Sequence, residues 1–365
     1  MKILHVYKDF DPPIRGGMEG YIAQMCRLQR QWAEVEALTC SRSWRTRVMD
    51  RNGIRVTEVG EWGRFQGAPA SPLFPFYMRR LKADVVVVHV PNPTAEIGWL
   101  AGKPSGRLVV RYHSDVVRQA AAMRIYGRLQ MKFLRQADII LPTSEQYVQT
   151  SPVLRQVANR CRVVPLGIPV KDFVHADEAR VKALRERYGD PFVLFCGRHR
   201  YYKGLEYMVR AAAHIHAPVV LAGDGPERSS NQRLAKEMGV DIAFPGELSQ
   251  EELVAHMHAC AVFMYPSVAR SEAFGLAILE AQACGRPVVA TKLGTGVEFA
   301  NLDGQTGLNV PPRDAEALAE AVNCLLSDRE SRERMGAFAR ERVRRDFDVA
   351  TVARREFDIY QELLA

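Results

Sequence analysis

Strand-length apolar runs alternate with helix-length amphipathic stretches from one end of this 365-residue chain to the other. That rhythm restricts the fold more than any other feature. The runs in the first half are residues 2–7, 34–40, 54–60, 84–89, 107–113, 138–143 and 162–166. In the second half they are 192–197, 218–222, 242–245, 262–265, 287–291 and 307–310. Most are unbroken Val/Ile/Leu stretches, as expected of strands buried on both faces of a parallel sheet. Helical spacing fills the gaps, for example over 205–215, 250–260 and 315–326. Strand–helix alternation of this kind predicts an α/β fold with parallel sheets. About a dozen strands overfill one doubly wound sheet, so two domains are expected. Two prolines and a glycine in Pro165-Leu-Gly-Ile-Pro169 mark the division. The expected domains are 1–168 and 169–348, with a closing helix over 349–365 packed back on the first.

The longest apolar runs, 83–91 and 192–197, fall far short of a bilayer span. The chain opens directly on a strand-like Lys-Ile-Leu-His-Val-Tyr without signal-peptide anatomy, so a cytoplasmic protein is expected. Seven cysteines, scattered and without C-x-x-C spacing, point away from a zinc or redox site. The net charge of +8 is unevenly spread. Residues 1–168 hold 25 Lys and Arg against 13 Asp and Glu, whereas the remainder is mildly acidic. A basic lobe of this kind expects an anionic partner: nucleic acid, a membrane surface or an acidic ligand.

The densest site signal runs from Ser267 through Arg270-Ser-Glu-Ala-Phe-Gly-Leu-Ala-Ile-Leu-Glu280 to Gly285. A helix is expected to begin near Phe274 with Gly275 at its mouth. Free N–H groups and the positive dipole end of a helix bind phosphate. Glu272 and Glu280 are candidate acceptors for sugar and ribose hydroxyls. Two glutamates alone are more often a helix-start charge and a solvated face. Arg198 and Lys203 sit at another strand-to-helix crossing, within Gly197-Arg-His-Arg-Tyr-Tyr-Lys-Gly204, where a cation pair suits a diphosphate. Gly16 and Gly17 follow the first strand, at the position of a phosphate-binding turn or of a purely steric one. His113, ahead of Ser114 and Asp115, closes a strand facing a ligand crevice. Asp9-Phe-Asp11 has D-x-D spacing but reads as turn chemistry rather than a metal site.

Further short motifs follow in order: Pro12-Pro-Ile-Arg-Gly-Gly-Met-Glu-Gly20, Val163-Val-Pro-Leu-Gly-Ile, Ala222-Gly-Asp-Gly-Pro226 and Gly304-Gln-Thr-Gly-Leu. With Glu272 and Glu280 as an E-x7-E pair, the chain resembles the retaining GT-B glycosyltransferases of family 4 along nearly its whole length. Val88-His-Val-Pro-Asn-Pro and Tyr112-His-Ser-Asp-Val-Val-Arg-Gln119 are closest to the lipopolysaccharide and exopolysaccharide sugar transferases. The resemblance implies two Rossmann-like domains facing each other across a cleft. Arg198 and Lys203 become the diphosphate clamp, and Glu272, Phe274, Gly275, Leu276 and Glu280 the donor site. His113 lies against the donor sugar, Asp115 orients it or the acceptor, and Gly16 and Gly17 pack against donor phosphates or acceptor. The implied reaction is hexose transfer with retention, GDP-mannose being the favoured donor, to a lipid-linked or polysaccharide acceptor. No cofactor or metal is expected beyond the nucleotide-sugar substrate.

Arg118, Arg124, Arg128, Lys132 and Arg135 share an expected helix, with an apolar stripe of Ile125, Leu129 and Phe133 beside them. With the aromatic and cationic stretch 74–82, they suit a solvated basic face or an anionic membrane equally well. Two other functions compete: a GT-B sugar-nucleotide epimerase or phosphorylase, and a nucleic-acid-binding module, although the aromatic platforms of the latter are missing.

Overall fold

A computed structural model describes residues 1–14, 16–65, 67–116 and 120–365, without the side chains of 120–125. The chain divides into two compact units, Met1–Pro165 with Ala350–Ala365, and Leu166–Val349.

In the N-terminal unit the strands are β1 (Lys2–Val6), β2 (Glu34–Cys40), β3 (Arg47–Arg51), β4 (Ile54–Val59), β5 (Gly63–Phe65), β6 (Ala68–Ala70), β7 (Val85–Val90), β8 (Arg107–Tyr112) and β9 (Ile139–Leu141). The helices are α1 (Gly17–Gln29), α2 (Phe74–Arg80), α3 (Pro93–Gly102), α4 (Ala120–Leu134) and α5 (Glu145–Thr150). The main sheet has the order β3-β4-β2-β1-β7-β8-β9, parallel except for the antiparallel edge strand β3. Its inner strands are mostly buried, and Val85–Val88 of β7 are wholly so. The order reverses between β1 and β7, so the switch point lies at the carboxyl ends of these two strands.

The expected strand over 162–166 does not form. Residues 162 and 164 donate to the carbonyls of Ile140 and Pro142, but the carbonyls of Val164 and Pro165 go to the guanidinium of Arg111, at 2.6 and 2.8 Å. This wholly buried guanidinium also reaches Leu141 O, at 3.0 Å. Its Nε lies 3.0 Å from Glu356 of the C-terminal helix (Val349–Leu364). That helix further seats Phe357 against Trp32.

The C-terminal unit holds β10 (Val193–Cys196), β11 (Val219–Ala222), β12 (Ile242–Gly246), β13 (Val262–Tyr265), β14 (Val288–Thr291) and β15 (Gly307–Val310). Between and after them run α6 (Glu178–Tyr188), α7 (Leu205–Ala212), α8 (Arg228–Glu237), α9 (Gln250–Ala259), α10 (Leu276–Ala283), α11 (Val297–Ala300), α12 (Ala315–Ser327) and α13 (Arg329–Asp346). All strands are parallel, in the order β12-β11-β10-β13-β14-β15, with the reversal between β10 and β13. Among the described residues, no helix is long and apolar enough to cross a membrane.

Candidate active site

Because the second sheet reverses between β10 and β13, the loops leaving these strands line one crevice. The first carries Arg198 and Lys203, the second Glu272 and Gly275. Lys203 reaches across: its ammonium lies 2.5 Å from Glu272 Oε2 and 2.5 Å from the Tyr265 phenol oxygen. It also stands 4.4 Å from the centroid of the Tyr265 ring, where the ring's negative face attracts a cation. Ser267 donates to the same Glu272 oxygen at 3.3 Å, and Thr295 holds the Glu272 carbonyl at 2.9 Å. Glu272 is buried, and its carboxylate is met by Lys203 and Ser267. Arg198 is exposed on the lip of the same loop.

Gly275 opens α10 in the left-handed region, with φ of 88°, and no side chain caps the helix. A β-carbon there would come within 3.0 Å of the Tyr265 ring and of Ile278. Only glycine both turns the chain and clears the ring, and the N–H groups at the mouth of the helix precede that of Ile278, which donates to Gly275 O at 3.0 Å. Phe274 does not present its side chain to this crevice. Its buried ring packs with Phe299 and Phe347, so only its backbone is placed at the helix mouth. Glu280, within α10, keeps some solvent contact yet is largely enclosed by protein. Burial pushes its carboxyl up to about 7, against the opposing pull of Lys203. Tyr265 was not singled out from the sequence, because an aromatic residue at a strand end reads as core.

In the N-terminal unit, Gly16 and Gly17 form the uncapped start of α1 after β1, with Glu19 in its first turn. Asp9 is buried and committed to guanidiniums, with Arg64 bidentate at 2.8 Å and Arg42 at 3.2 Å. These pairs hold its carboxyl below the usual range against the cost of burial. His113 lies beyond β8 and is buried, but Asp115 does not orient it. Asp115 takes the Tyr112 phenol at 2.8 Å and the Ser151 hydroxyl at 2.7 Å. His113 Nε2 instead lies 2.9 Å from Nδ1 of His89, whose Nε2 lies 3.0 Å from Nδ1 of His5. His5 Nε2 ends the chain on Gln29 Oε1 at 2.8 Å. Burial lowers the affinity of all three rings for protons, in His5 to about 4, so they are neutral near pH 7. From the sequence His113 stood alone. Its partners lie on β1 and β7, and only strand pairing brings them together.

Arg128, Lys132 and Arg135 of the basic stripe are exposed, whereas Phe133 is core. Arg118 lies outside the described residues, as do the side chains of Arg124 and Ile125.

Two doubly wound units, with a switch-point crevice of this chemistry in the second, define a GT-B architecture. The chain belongs to the glycosyltransferases: residues 177–342 match the family of glycosyl transferases group 1, and residues 16–167 the glycosyl transferase 4-like domain. It is 35% identical to the O-antigen chain mannosyltransferase C of Escherichia coli, over 100% of this chain and 98% of that protein. It is 33% identical to the D-rhamnosyltransferase WbpZ of Pseudomonas aeruginosa, over 95% and 92% respectively. Among solved structures, sucrose-phosphate synthase from Thermosynechococcus elongatus superimposes with a TM-score of 0.83 at 25% identity, covering 100% of this chain and 99% of that one. The chain is thus a hexosyltransferase.

Proposed function

We propose that this enzyme transfers a hexose, with mannose from GDP-mannose favoured, to a lipid-linked or polysaccharide-precursor acceptor in O-antigen assembly. The observation that carries the reading is the convergence of Lys203, Tyr265 and Glu272 at the switch point beside the open end of α10. A relative named for O-antigen mannosyl transfer, similar over the full length, supports the choice of sugar and pathway.

In this reading Lys203 and Arg198 meet the diphosphate, whose charge grows as the sugar–phosphate bond breaks. The N–H groups at the start of α10 add to that field. Glu272 accepts from hydroxyls of the sugar and Glu280 from those of the ribose. His113 contacts the sugar, and Gly16 and Gly17 pack on donor phosphates or acceptor. The acceptor hydroxyl attacks the face from which the nucleotide leaves, the leaving phosphate takes its proton, and the anomeric configuration is retained. The chain's contribution is positioning, exclusion of water and charge stabilisation.

The basic N-terminal unit would meet the anionic surface that carries such an acceptor. Trp62 (83% exposed) and Phe65 (73%) stand out from the β5 segment, and Phe76 (56%) stands out from α2 beside exposed Arg79 and Arg80, the aromatic and cationic side chains that settle at headgroups.

The test is a donor panel of GDP-, UDP- and ADP-sugars with a diphospholipid-linked acceptor, read by NMR of the new anomeric centre. Retained configuration with GDP-mannose, at a rate unchanged by EDTA, is the expected result. Interconversion of the sugar nucleotide without acceptor would mark an epimerase instead. Lys203→Ala and Glu272→Ala should each lower kcat by about 100-fold or more, with the folded state retained by circular dichroism.

A further inference from the structure

His5, His89 and His113 form an unbroken hydrogen-bonded row across β1, β7 and the end of β8, with ring centroids 5.3 and 5.2 Å apart. All three are buried. A neutral imidazole has one N–H and one bare nitrogen. In a row of such rings every hydrogen bond must therefore point the same way. The direction is set at whichever end has a fixed role.

Gln29 is that end. Its side-chain oxygen faces His5 Nε2 and can only accept. Its surroundings favour this amide orientation. Tyr360 lies beside Gln29, and its O–H donates to Glu356 Oε2 at 3.0 Å, while the other Glu356 oxygen faces Arg111. The phenol thus has only lone pairs left on that side, which favours the Gln29 oxygen toward His5 and leaves the NH2 group on the phenol's side, without a hydrogen bond among the described residues. His5 then donates from Nε2 and accepts at Nδ1, His89 does the same, and so does His113. The row ends at His113 Nδ1, which is bare, buried and without a hydrogen-bond partner among the described residues. A buried polar atom left unpaired calls for a partner from outside.

We propose that Gln29, His5 and His89 are positioning residues that lock His113 in its Nε2–H tautomer, so that Nδ1 accepts a hydrogen bond from a hydroxyl of the donor sugar. This rests on the placement of His113 at the sugar given above. It adds that the recognised group is a hydrogen-bond donor, and that the selection originates on α1 and the C-terminal helix, three side chains away. Reversing the row would leave His5 Nε2 bare: with Gln29 as it stands two lone pairs would face each other, and a flipped Gln29 could donate to His5 only by turning its oxygen onto the lone pairs of the Tyr360 phenol.

The tautomers can be read without substrate by long-range 15N–1H correlation on protein labelled in its histidine rings, with His113→Asn identifying that ring. Protonated Nε2 and bare Nδ1 are expected in all three, and an Nδ1–H tautomer at His113 would overturn the proposal. Gln29→Met removes the anchoring acceptor, so His113 should become a mixture of tautomers, with kcat/KM for GDP-mannose about tenfold lower. In a His113→Asn background the amide can rotate to present its own oxygen, so the same Gln29→Met change should then be nearly silent. An equal loss in both backgrounds would show that Gln29 acts only through stability and would sink the relay. Full activity of His113→Ala would instead remove the sugar contact, whatever the tautomers of the resting protein.

Discussion

Glu280 and Gly275 are a turn and a half apart on α10 and answer to different physics. A carboxyl whose ordinary value is near 4.5 sits at about 7 in the folded chain because burial disfavours its charge. The native state therefore holds this proton more tightly than the unfolded state does. The group's effect on stability is thus unfavourable above pH 7 and fades as pH falls toward 4.5. Binding runs the other way. If ribose hydroxyls donate to this carboxylate, GDP affinity should rise between pH 6 and 8, and titration calorimetry should find the slope flattened in Glu280→Gln. At Gly275 the expectation is steric. Gly275→Ala combines a φ of 88° with a side chain pressed on Tyr265 and Ile278, which costs about 1–3 kcal/mol. Because the Tyr265 phenol braces Lys203, thermal melts should show a modest loss while donor KM worsens out of proportion.

At the level of helices and strands, the sequence was read most clearly where both faces are buried. β1, β7, β8 and the strands of the second sheet announce themselves by predominantly apolar runs. β3 stayed hidden because its burial is slight and its residues largely polar. β5 and β6, three residues each, are too short to show a period. The stretch 162–166 misled because its apolar run is real, but Arg111 takes the carbonyls that a strand would share with a neighbour. That Lys203, Glu272 and Gly275 gather at one crevice was legible from their place after β10 and β13. The bracing role of Tyr265 and the partners of His113 were not, since both depend on strand order. The β5–β6 hairpin also makes a prediction of its own. Trp62→Ser with Phe65→Ser should reduce co-sedimentation with phosphatidylglycerol vesicles several-fold at low salt, leaving soluble-donor hydrolysis unaffected.

Across the whole molecule, the polypeptide leaves the N-terminal unit at Pro165 and returns to it at Ala350. The returning helix brings Glu356 to Arg111 in a fully buried ion pair. Glu356→Ala strands a guanidinium in the interior and should cost about 3–5 kcal/mol, whereas Arg111→Met with Glu356→Leu should recover much of the loss. All four tryptophans, Trp32, Trp44, Trp62 and Trp99, belong to this unit, so their fluorescence during urea unfolding reports the effect where it arises. The same excursion has a consequence for synthesis. A ribosome delivers the N-terminal sheet first and the helix that neutralises Arg111 last, with the whole C-terminal unit made in between. Until that helix is made, Arg111 has its carbonyl acceptors but no carboxylate, so the sheet made first is completed only by a segment that follows the C-terminal unit.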